Sequence, residues 1–165
     1  MTDRVYNVLI LCTCNTARSL MMEALFNVIG KGRFRAFSAG RTPNHAVHPL
    51  AAALAAKIGY APEKLCSKGW DEFAGPDAPV MDFIITVSDD LAGEPTPAWP
   101  GHPVSAHWHF ADPAQVRGSD AERLDAFEKT LHEMMTRVNL FTHLPLAMLD
   151  RQALHHELAR IGTAA

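Results

Sequence analysis

Residues 5–19 read Val5-Tyr6-Asn7-Val8-Leu9-Ile10-Leu11 and then Cys12-Thr13-Cys14-Asn15-Thr16-Ala17-Arg18-Ser19, and this stretch decides the fold. The first seven residues are almost all apolar, as in a parallel strand that is covered on both faces. After Arg18 the apolar residues recur at helical spacing. A thiol and a guanidinium group six residues apart therefore lie at a strand-to-helix turn.

This turn has the composition of an oxyanion-binding loop. Backbone N–H groups at a helix N-terminus point toward a bound anion, and the helix dipole favours negative charge there, so both stabilise a thiolate at the start of the loop. Arg18 can hold two oxygens of a tetrahedral oxyanion at once. The spacing of Cys12 and Arg18 thus predicts the anion loop that cysteine phosphatases use.

Strand and helix patterns alternate along the rest of the chain. Strands are predicted at 5–11, 34–38, 82–87 and 104–108, helices at 18–29, 49–58 and about 120–141, a surface loop at 93–101, and a last helix that carries Leu154, Leu158 and Ile161. Strands separated by helices indicate a parallel sheet with crossover connections. We predict one α/β domain over residues 1–165: a flavodoxin-like, open, four-stranded parallel sheet with helices on both faces.

Composition narrows the class of protein. The chain has 165 residues and a net charge of −3, which does not favour nucleic acid as a partner. The apolar segment near the N-terminus is too short for a membrane span or a signal peptide, so we expect a soluble cytoplasmic protein with no membrane partner. Three cysteines, at 12, 14 and 66, do not form a secreted disulfide framework and are expected to be reduced thiols.

A second chemical group is predicted at the same end of the sheet. Ligands of open parallel sheets bind at the carboxyl ends of the strands, near the point where the strand order reverses. The loops at 12–18, 88–101 and 109–114 should therefore surround one crevice. The last of these loops contains Asp112-Pro113, and the Asp112 carboxylic acid could protonate a leaving-group oxygen while Cys12 attacks.

Several motifs together resemble one known family. Cys12-x5-Arg18-Ser19, Ser38-Ala39-Gly40 and Asp112-Pro113 are similar to the low-molecular-weight protein tyrosine phosphatase superfamily. Four segments resemble, more narrowly, the arsenate reductase branch of this superfamily: Ser67-Lys68-Gly69-Trp70-Asp71-Glu72-Phe73, Trp99-Pro100-Gly101-His102-Pro103, Ala106-His107-Trp108 and Asp112-Pro113-Ala114. The resemblance extends from about residue 5 to residue 160.

The resemblance implies a role for each matching position. Cys12 would be the nucleophile, Arg18 the oxyanion clamp and Asp112 the general acid. Ser19 would donate its hydroxyl to the thiolate, and Asn15 would hold the shape of the loop. The oxyanion, arsenate or phosphate, or a phosphomonoester, would be bound by the loop residues Thr13, Cys14, Asn15, Thr16, Ala17 and Arg18.

The chain departs from the family pattern in ways that affect the chemistry. Cys14 stands where glycine is usual, and the two further redox cysteines of thioredoxin-coupled arsenate reductases are matched by Ser88 and Thr96. We therefore expect no tightly bound cofactor, and an external thiol such as glutathione with glutaredoxin, or mycothiol, as the reductant and redox partner. A disulfide between Cys12 and Cys14 would be strained, and Cys66 is expected to be structural.

Alternatives remain open at this point. A phosphotyrosine phosphatase of this family would carry tyrosines after Asp-Pro, where this chain has Ala114-Gln115-Val116, although Trp99, Trp108 or Phe110 could line the crevice. A non-catalytic oxyanion-binding or regulatory protein is a further alternative. We expect no metal site, because a metal bound by His107, His109 and the cysteine pair would be repelled by Arg18 and lacks the usual cysteine spacing.

Overall fold

The computed structural model describes residues 4–91 and 96–163. Its sheet has four strands, β1 (Tyr6–Cys12), β2 (Phe34–Gly40), β3 (Phe83–Thr86) and β4 (Val104–His107). The strand order is β2-β1-β3-β4, and every neighbouring pair is parallel. The chain crosses over β1 when it passes from β2 to β3, so the strand order reverses at β1.

The α-helices are α1 (Arg18–Ile29), α2 (Pro49–Lys57), α3 (Asp120–Thr142) and α4 (Arg151–Gly162). Local sequence explains where they begin. Pro49 occupies the first turn of α2, where a missing N–H costs nothing. Helix α3 begins with a capping box, in which the Ser119 side chain and the Glu122 side chain each bind the backbone N–H of the other residue.

The two faces of β1 contribute to different parts of the core. Val8, Ile10 and Cys12 belong to the large cluster of buried residues formed with the α-helices. Leu9 and Leu11 belong to a second cluster, which is covered by Phe73, Met81, Leu91 and other residues outside the α-helices. The 3-10 helix Trp70–Phe73 is the element that covers this second face beside β2.

The predicted fold class is confirmed: the structure is an α/β fold with an open, four-stranded parallel sheet and helices against it. Of the two faces on which helices were predicted, one is covered by the four α-helices and the other by the 3-10 helix Trp70–Phe73 and loop residues. The observed strand ends differ slightly from the predicted ones because the ladder between β1 and β2 continues to the pair Cys12 and Gly40. The predicted surface loop at 93–101 lies partly outside the described residues, and residues 96–99 have no regular structure.

Candidate active site

The predicted anion loop, residues 12–18, joins the end of β1 to the start of α1 at the point where the strand order reverses. Its backbone lies directly on Gly40, the last residue of β2. A β-carbon at position 40 would be 2.8 Å from the Thr13 carbonyl oxygen and 2.9 Å from the Asn15 backbone nitrogen. The glycine of the Ser38-Ala39-Gly40 motif is thus required by the close approach of the loop.

The Cys12 side chain is buried and receives hydrogen bonds at its sulfur. The backbone N–H of Asn15 donates to Cys12 Sγ at 3.1 Å, and Ser19 Oγ lies 2.9 Å from the same sulfur. Asn15 Nδ2 donates to Ser19 Oγ at 2.7 Å, so the Ser19 oxygen is already an acceptor and its O–H is available for Cys12. This arrangement stabilises the thiolate form of Cys12, because both groups can donate to it.

Asn15 fixes the shape of the loop. Its φ of 54° is in the left-handed region, which asparagine tolerates better than most residues. Its Nδ2 also donates to Ser38 Oγ at 3.0 Å, and its Oδ1 accepts from the backbone N–H of Lys68 at 2.9 Å. The side chain that the sequence predicts to hold the loop is therefore placed to do so, with all its polar atoms used.

A buried carboxyl group continues the network beyond Ser38. The Ser38 hydroxyl donates to Glu23 Oε1 at 2.6 Å, and the Tyr60 hydroxyl donates to Glu23 Oε2 at 2.7 Å. Burial raises the pKa of the Glu23 carboxyl, although both hydrogen bonds and the Lys68 charge oppose this. Burial and the adjacent Glu23 likewise raise the pKa of Tyr60. The sequence analysis did not find Glu23, since a single glutamate inside a helical pattern gives no signal of burial.

The loop also offers donors to an anion. Within the described part of the chain, the backbone N–H groups of Cys14, Thr16, Ala17 and Arg18 have no protein acceptor. The Arg18 guanidinium is held by the backbone carbonyls of Phe110, at 3.1 Å, and Val87, at 3.4 Å. Free N–H groups beside a fixed guanidinium form a receptor for a tetrahedral oxyanion.

The Asp112 carboxylate lies on the opposite wall of the same cavity. Its Oδ2 is 3.5 Å from Arg18 Nη2, and its Oδ1 accepts from the backbone N–H of Ala114 at 3.0 Å. The cavity has a volume of about 360 Å³ and is lined by Cys12, Thr13, Cys14, Thr16, Ala17, Arg18, Asn44, Asp90, Asp112, Ala114 and Gln115. The structure thus brings Asp112 to the residues of the predicted loop, and it adds Asn44 and Asp90.

Asp90 is a site residue that sequence reasoning missed. Thr13 Oγ1 donates to Asp90 Oδ2 and lies 3.2 Å from Ser88 Oγ. The hydrogen bond from Thr13 lowers the pKa of Asp90. The segment after β3 is therefore attached to the anion loop, and Ser88, which matches a redox cysteine of the family, is fully buried in this attachment. No motif announces a contact between residues 77 positions apart.

Other residues named from the sequence lie away from the cavity. Asp89 lies 2.9 Å from His107 Nε2 and 2.8 Å from His109 Nδ1, and these contacts lower the pKa of Asp89. Trp108 and Phe110 are buried in the core cluster rather than in the crevice. The Trp108 Nε1 donates to the Leu158 carbonyl of α4. Trp99 packs against Trp70. Cys66 is exposed.

Comparison with known proteins agrees with this geometry. Residues 7–154 match the family described as low molecular weight phosphotyrosine protein phosphatase. The chain belongs to this family. The matched residues include nearly all of β1, the anion loop, Asp112 and α3, so the low-molecular-weight phosphatase family covers most of the chain and all of the predicted catalytic residues. The prediction of an enzyme of this family is confirmed.

The most similar relatives within the low-molecular-weight phosphatase family include arsenate reductases. The arsenate reductase of Halalkalibacterium halodurans is 30% identical over 131 residues, which are 79% of this chain and 91% of the relative. That of Bacillus subtilis is 28% identical over 131 residues, with the same coverage. A solved arsenate reductase from Archaeoglobus fulgidus has a TM-score of 0.64 and 30% identity, covering 83% of this chain and 99% of its own.

A tyrosine phosphatase of Erwinia amylovora has the same fold, with a TM-score of 0.59 at 21% identity, covering 84% of this chain and 90% of its own. Both activities therefore occur on this architecture. Within the described residues, none of the helices is long and apolar enough to span a membrane.

Proposed function

We propose that this protein is an arsenate reductase that uses an external thiol. The Cys12 thiolate attacks the arsenic of bound arsenate, an S–As bond forms, and one arsenate oxygen leaves as water with a proton from Asp112. A small external thiol then attacks the Cys12 sulfur. An S–S bond forms, the S–As bond breaks, its electron pair passes to arsenic, and As(III) leaves as arsenite. A second external thiol releases the mixed disulfide, so two thiols supply two electrons.

One observation carries this proposal: the Cys12 sulfur accepts hydrogen bonds at the base of a cavity that also contains Arg18 and four unpaired backbone N–H groups among the described residues. Thiolate stabilisation and oxyanion binding are the two requirements of the first step. The proposed reaction needs no tightly bound cofactor, since the thiols are the reductant.

The relatives support arsenate as the substrate. Those at 30% identity, from Halalkalibacterium halodurans and Archaeoglobus fulgidus, are both named arsenate reductases. The structural neighbours include an arsenate reductase in a phosphate-binding state, at 23% identity, which is consistent with an oxyanion cavity on this fold.

The arrangement of sulfur atoms supports an external thiol. Ser88 is buried and hydrogen-bonded to Thr13, and Thr96 is a threonine, so neither position can supply a second sulfur. Cys66 does not line the cavity. Cys14 does line it, but a bridge to Cys12 would have to form across a single intervening residue, which is strained.

The test is arsenate reduction measured in parallel with glutathione plus glutaredoxin, with mycothiol plus its redoxin, and with thioredoxin. We expect turnover with one of the small thiols and none with the Cys12→Ser variant. Cys66→Ser is the matched control, because it removes an exposed thiol outside the cavity and should retain the full rate. No reduction with any donor would refute the proposal and favour a non-catalytic oxyanion-binding protein.

Mass spectrometry of trapped intermediates tests the identity of the second sulfur. A mixed disulfide between Cys12 and the small thiol is expected after arsenate turnover. A Cys12–Cys14 disulfide as the main product, together with loss of turnover in Cys14→Ser, would refute the external-thiol step while leaving the arsenate reductase assignment intact.

Phosphomonoester hydrolysis is a second candidate, and the position of Asp112 favours it. A carboxyl group 3.5 Å from the Arg18 guanidinium is placed to protonate an ester oxygen as well as an arsenate oxygen. Ala114 and Gln115 follow it, so the cavity wall offers no aromatic side chain for a phosphotyrosine ring. We expect weak hydrolysis of small aryl phosphates that disappears in Cys12→Ser; a rate above that of arsenate reduction would reverse the order of the two candidates.

A further inference from the structure

A second cleft lies outside the anion loop and shares no lining residue with its cavity. It has a volume of about 740 Å³, within the usual size range of small-ligand sites. It is formed where the end of α1 and the start of β2 approach the segment after α2. Its lining residues are Glu23, Asn27, Val28, Lys31, Arg35, Ala36, Phe37, Gly59, Tyr60, Lys64 and Lys68.

Four cationic side chains converge on this cleft in a chain whose net charge is negative. In the described part of the protein, Lys31, Arg35 and Lys64 form no ion pair with an acidic residue. The Lys68 ammonium donates to the backbone carbonyl of Cys66, at 2.7 Å, and its charge also acts on the buried Glu23 carboxyl. Positive charges that outnumber the acidic groups around them create a potential that attracts an anion.

The lining contains one acidic residue, Glu23, which cannot balance four cations. Glu23 is 4% exposed, and both of its carboxyl oxygens already accept hydrogen bonds from Ser38 and Tyr60. The cations at the rim are exposed or half-buried, so a ligand entering from solvent meets them before it meets Glu23.

We propose that this cleft binds a small polyphosphate, either free or as part of a nucleotide. A terminal phosphate carries about −1.5 to −2 charges near neutral pH, so two or three linked phosphates match four cations. Arg35 can bind phosphate oxygens in a bidentate manner, and the three lysines act as point charges around it. The apolar part of the lining, including Val28 and Phe37, leaves room for an organic group beside the phosphates.

The cleft is also connected to the anion loop. The backbone N–H of Lys68 donates to Asn15 Oδ1 at 2.9 Å, while the Lys68 side chain lines the cleft. A ligand that restrains Lys68 therefore also restrains the residue that shapes the catalytic loop. The cleft is thus a second binding site that contacts the catalytic loop directly, and it takes no part in the proposed reaction.

The test is isothermal titration of the full chain with tripolyphosphate, ATP and AMP. The anion loop could also bind phosphate groups, so the titration is repeated on Arg18→Ala, which should keep one site. Lys31→Ala/Arg35→Ala should weaken tripolyphosphate binding to that site by about tenfold or more, since hydrogen bonds between charged groups are among the strongest that proteins form. AMP, with one phosphate, should bind much more weakly than ATP.

The matched control is Lys57→Ala/Lys129→Ala, which removes the same net charge from exposed positions outside the cleft. It should bind as the parent does. Lys31→Glu/Arg35→Glu, checked for folding by circular dichroism, should abolish binding. Tighter binding of ATP than of tripolyphosphate would assign the nucleotide as the source, and equal binding would assign inorganic polyphosphate.

Three results would overturn the proposal: loss of all binding in Arg18→Ala, undiminished binding in Lys31→Ala/Arg35→Ala, or equal weakening in the control pair. Binding of a long acidic polymer with none of tripolyphosphate would overturn it in favour of a macromolecular partner.

Discussion

The hydrogen bond between Ser19 and Cys12 should be the main side-chain support of the thiolate, and Ser19→Ala removes it. Ser19 Oγ is 2.9 Å from Cys12 Sγ, and its own oxygen is occupied by the Asn15 amide, so its proton is directed at the sulfur. A hydrogen bond to a charged group contributes about 1.5–3 kcal/mol. Since 1.36 kcal/mol corresponds to tenfold, the loss of this bond should disfavour the thiolate by about 10- to 150-fold.

The assay is the rate of iodoacetamide alkylation at Cys12, measured at one fixed pH near neutral. It is carried out in a Cys14→Ser/Cys66→Ser background, so that Cys12 is the remaining thiol, and mass spectrometry locates the label. The alkylation rate should fall by about 4- to 15-fold in Ser19→Ala. This loss is smaller than the loss of thiolate, because a thiolate without the hydrogen bond is also a somewhat better nucleophile.

Ser38→Ala is the matched control for this experiment. Ser38 is also a fully buried serine that accepts from Asn15 Nδ2, at 3.0 Å, but it donates to Glu23 instead of the sulfur. Both variants lose a hydroxyl from the same network, and only Ser19→Ala loses a donor to Cys12. An unchanged alkylation rate in Ser19→Ala, or an equal reduction in Ser38→Ala, would refute the argument that Ser19 stabilises the thiolate directly.

Three further predictions concern the residues around this network. Gly40→Ala should lower the free energy of unfolding by about 1–3 kcal/mol and reduce arsenate turnover, because its β-carbon would meet the backbone of the anion loop. Gly75→Ala is the control, since its new carbon meets no atom within 4 Å, and it should change neither the unfolding free energy nor the turnover. Chemical denaturation and activity assays measure the two quantities. Asp112→Asn should slow phenyl phosphate hydrolysis by about 10²-fold or more and p-nitrophenyl phosphate hydrolysis less, because the better leaving group needs less protonation; an equal loss on both would argue against an acid role. Burial raises the pKa of Glu23, so the folded protein releases this proton at a higher pH than the unfolded chain does. The stability that Glu23 contributes below its unfolded pKa is therefore lost as the pH rises through the raised value. Urea denaturation should show Glu23→Gln gaining stability relative to the parent with rising pH, and a constant difference would contradict this.

The sequence was sufficient for the loop because its signal is local. An apolar strand, a Cys-x5-Arg segment and a helical pattern follow one another within residues 5–29, and the chain turn they predict is the one observed. The weak strand pattern at 104–108 was also a correct prediction, since Val104–His107 pairs along its whole length with β3. Local chemistry and periodicity decide such elements whatever the distant chain does.

Contacts between distant segments could not be predicted in the same way. The attachment of Thr13 to Ser88 and Asp90, and the extension from Asn15 through Ser38 to Glu23, join residues that no periodic pattern relates. Burial of Trp108 was missed because an aromatic residue at a strand end is equally suited to a crevice. The indole reaches the Leu158 carbonyl only after α4 has folded back onto β4.

The structure also explains why cysteine can replace glycine at position 14. Glycine is favoured where φ is positive, and in this loop the residue with positive φ is Asn15, at 54°, while Cys14 has no such conformation. Four hydrogen bonds hold Asn15 in place. Its backbone N–H donates to Cys12 Sγ, its Nδ2 donates to Ser19 and Ser38, and its Oδ1 accepts from the backbone N–H of Lys68. Because position 15 determines the turn, a side chain at position 14 does not distort the loop and instead lines the cavity. The same rigidity limits Cys14 as a resolving thiol, since a bridge to Cys12 across one intervening residue needs a change of loop conformation that these hydrogen bonds oppose. This is the physical reason to expect that the second sulfur comes from outside.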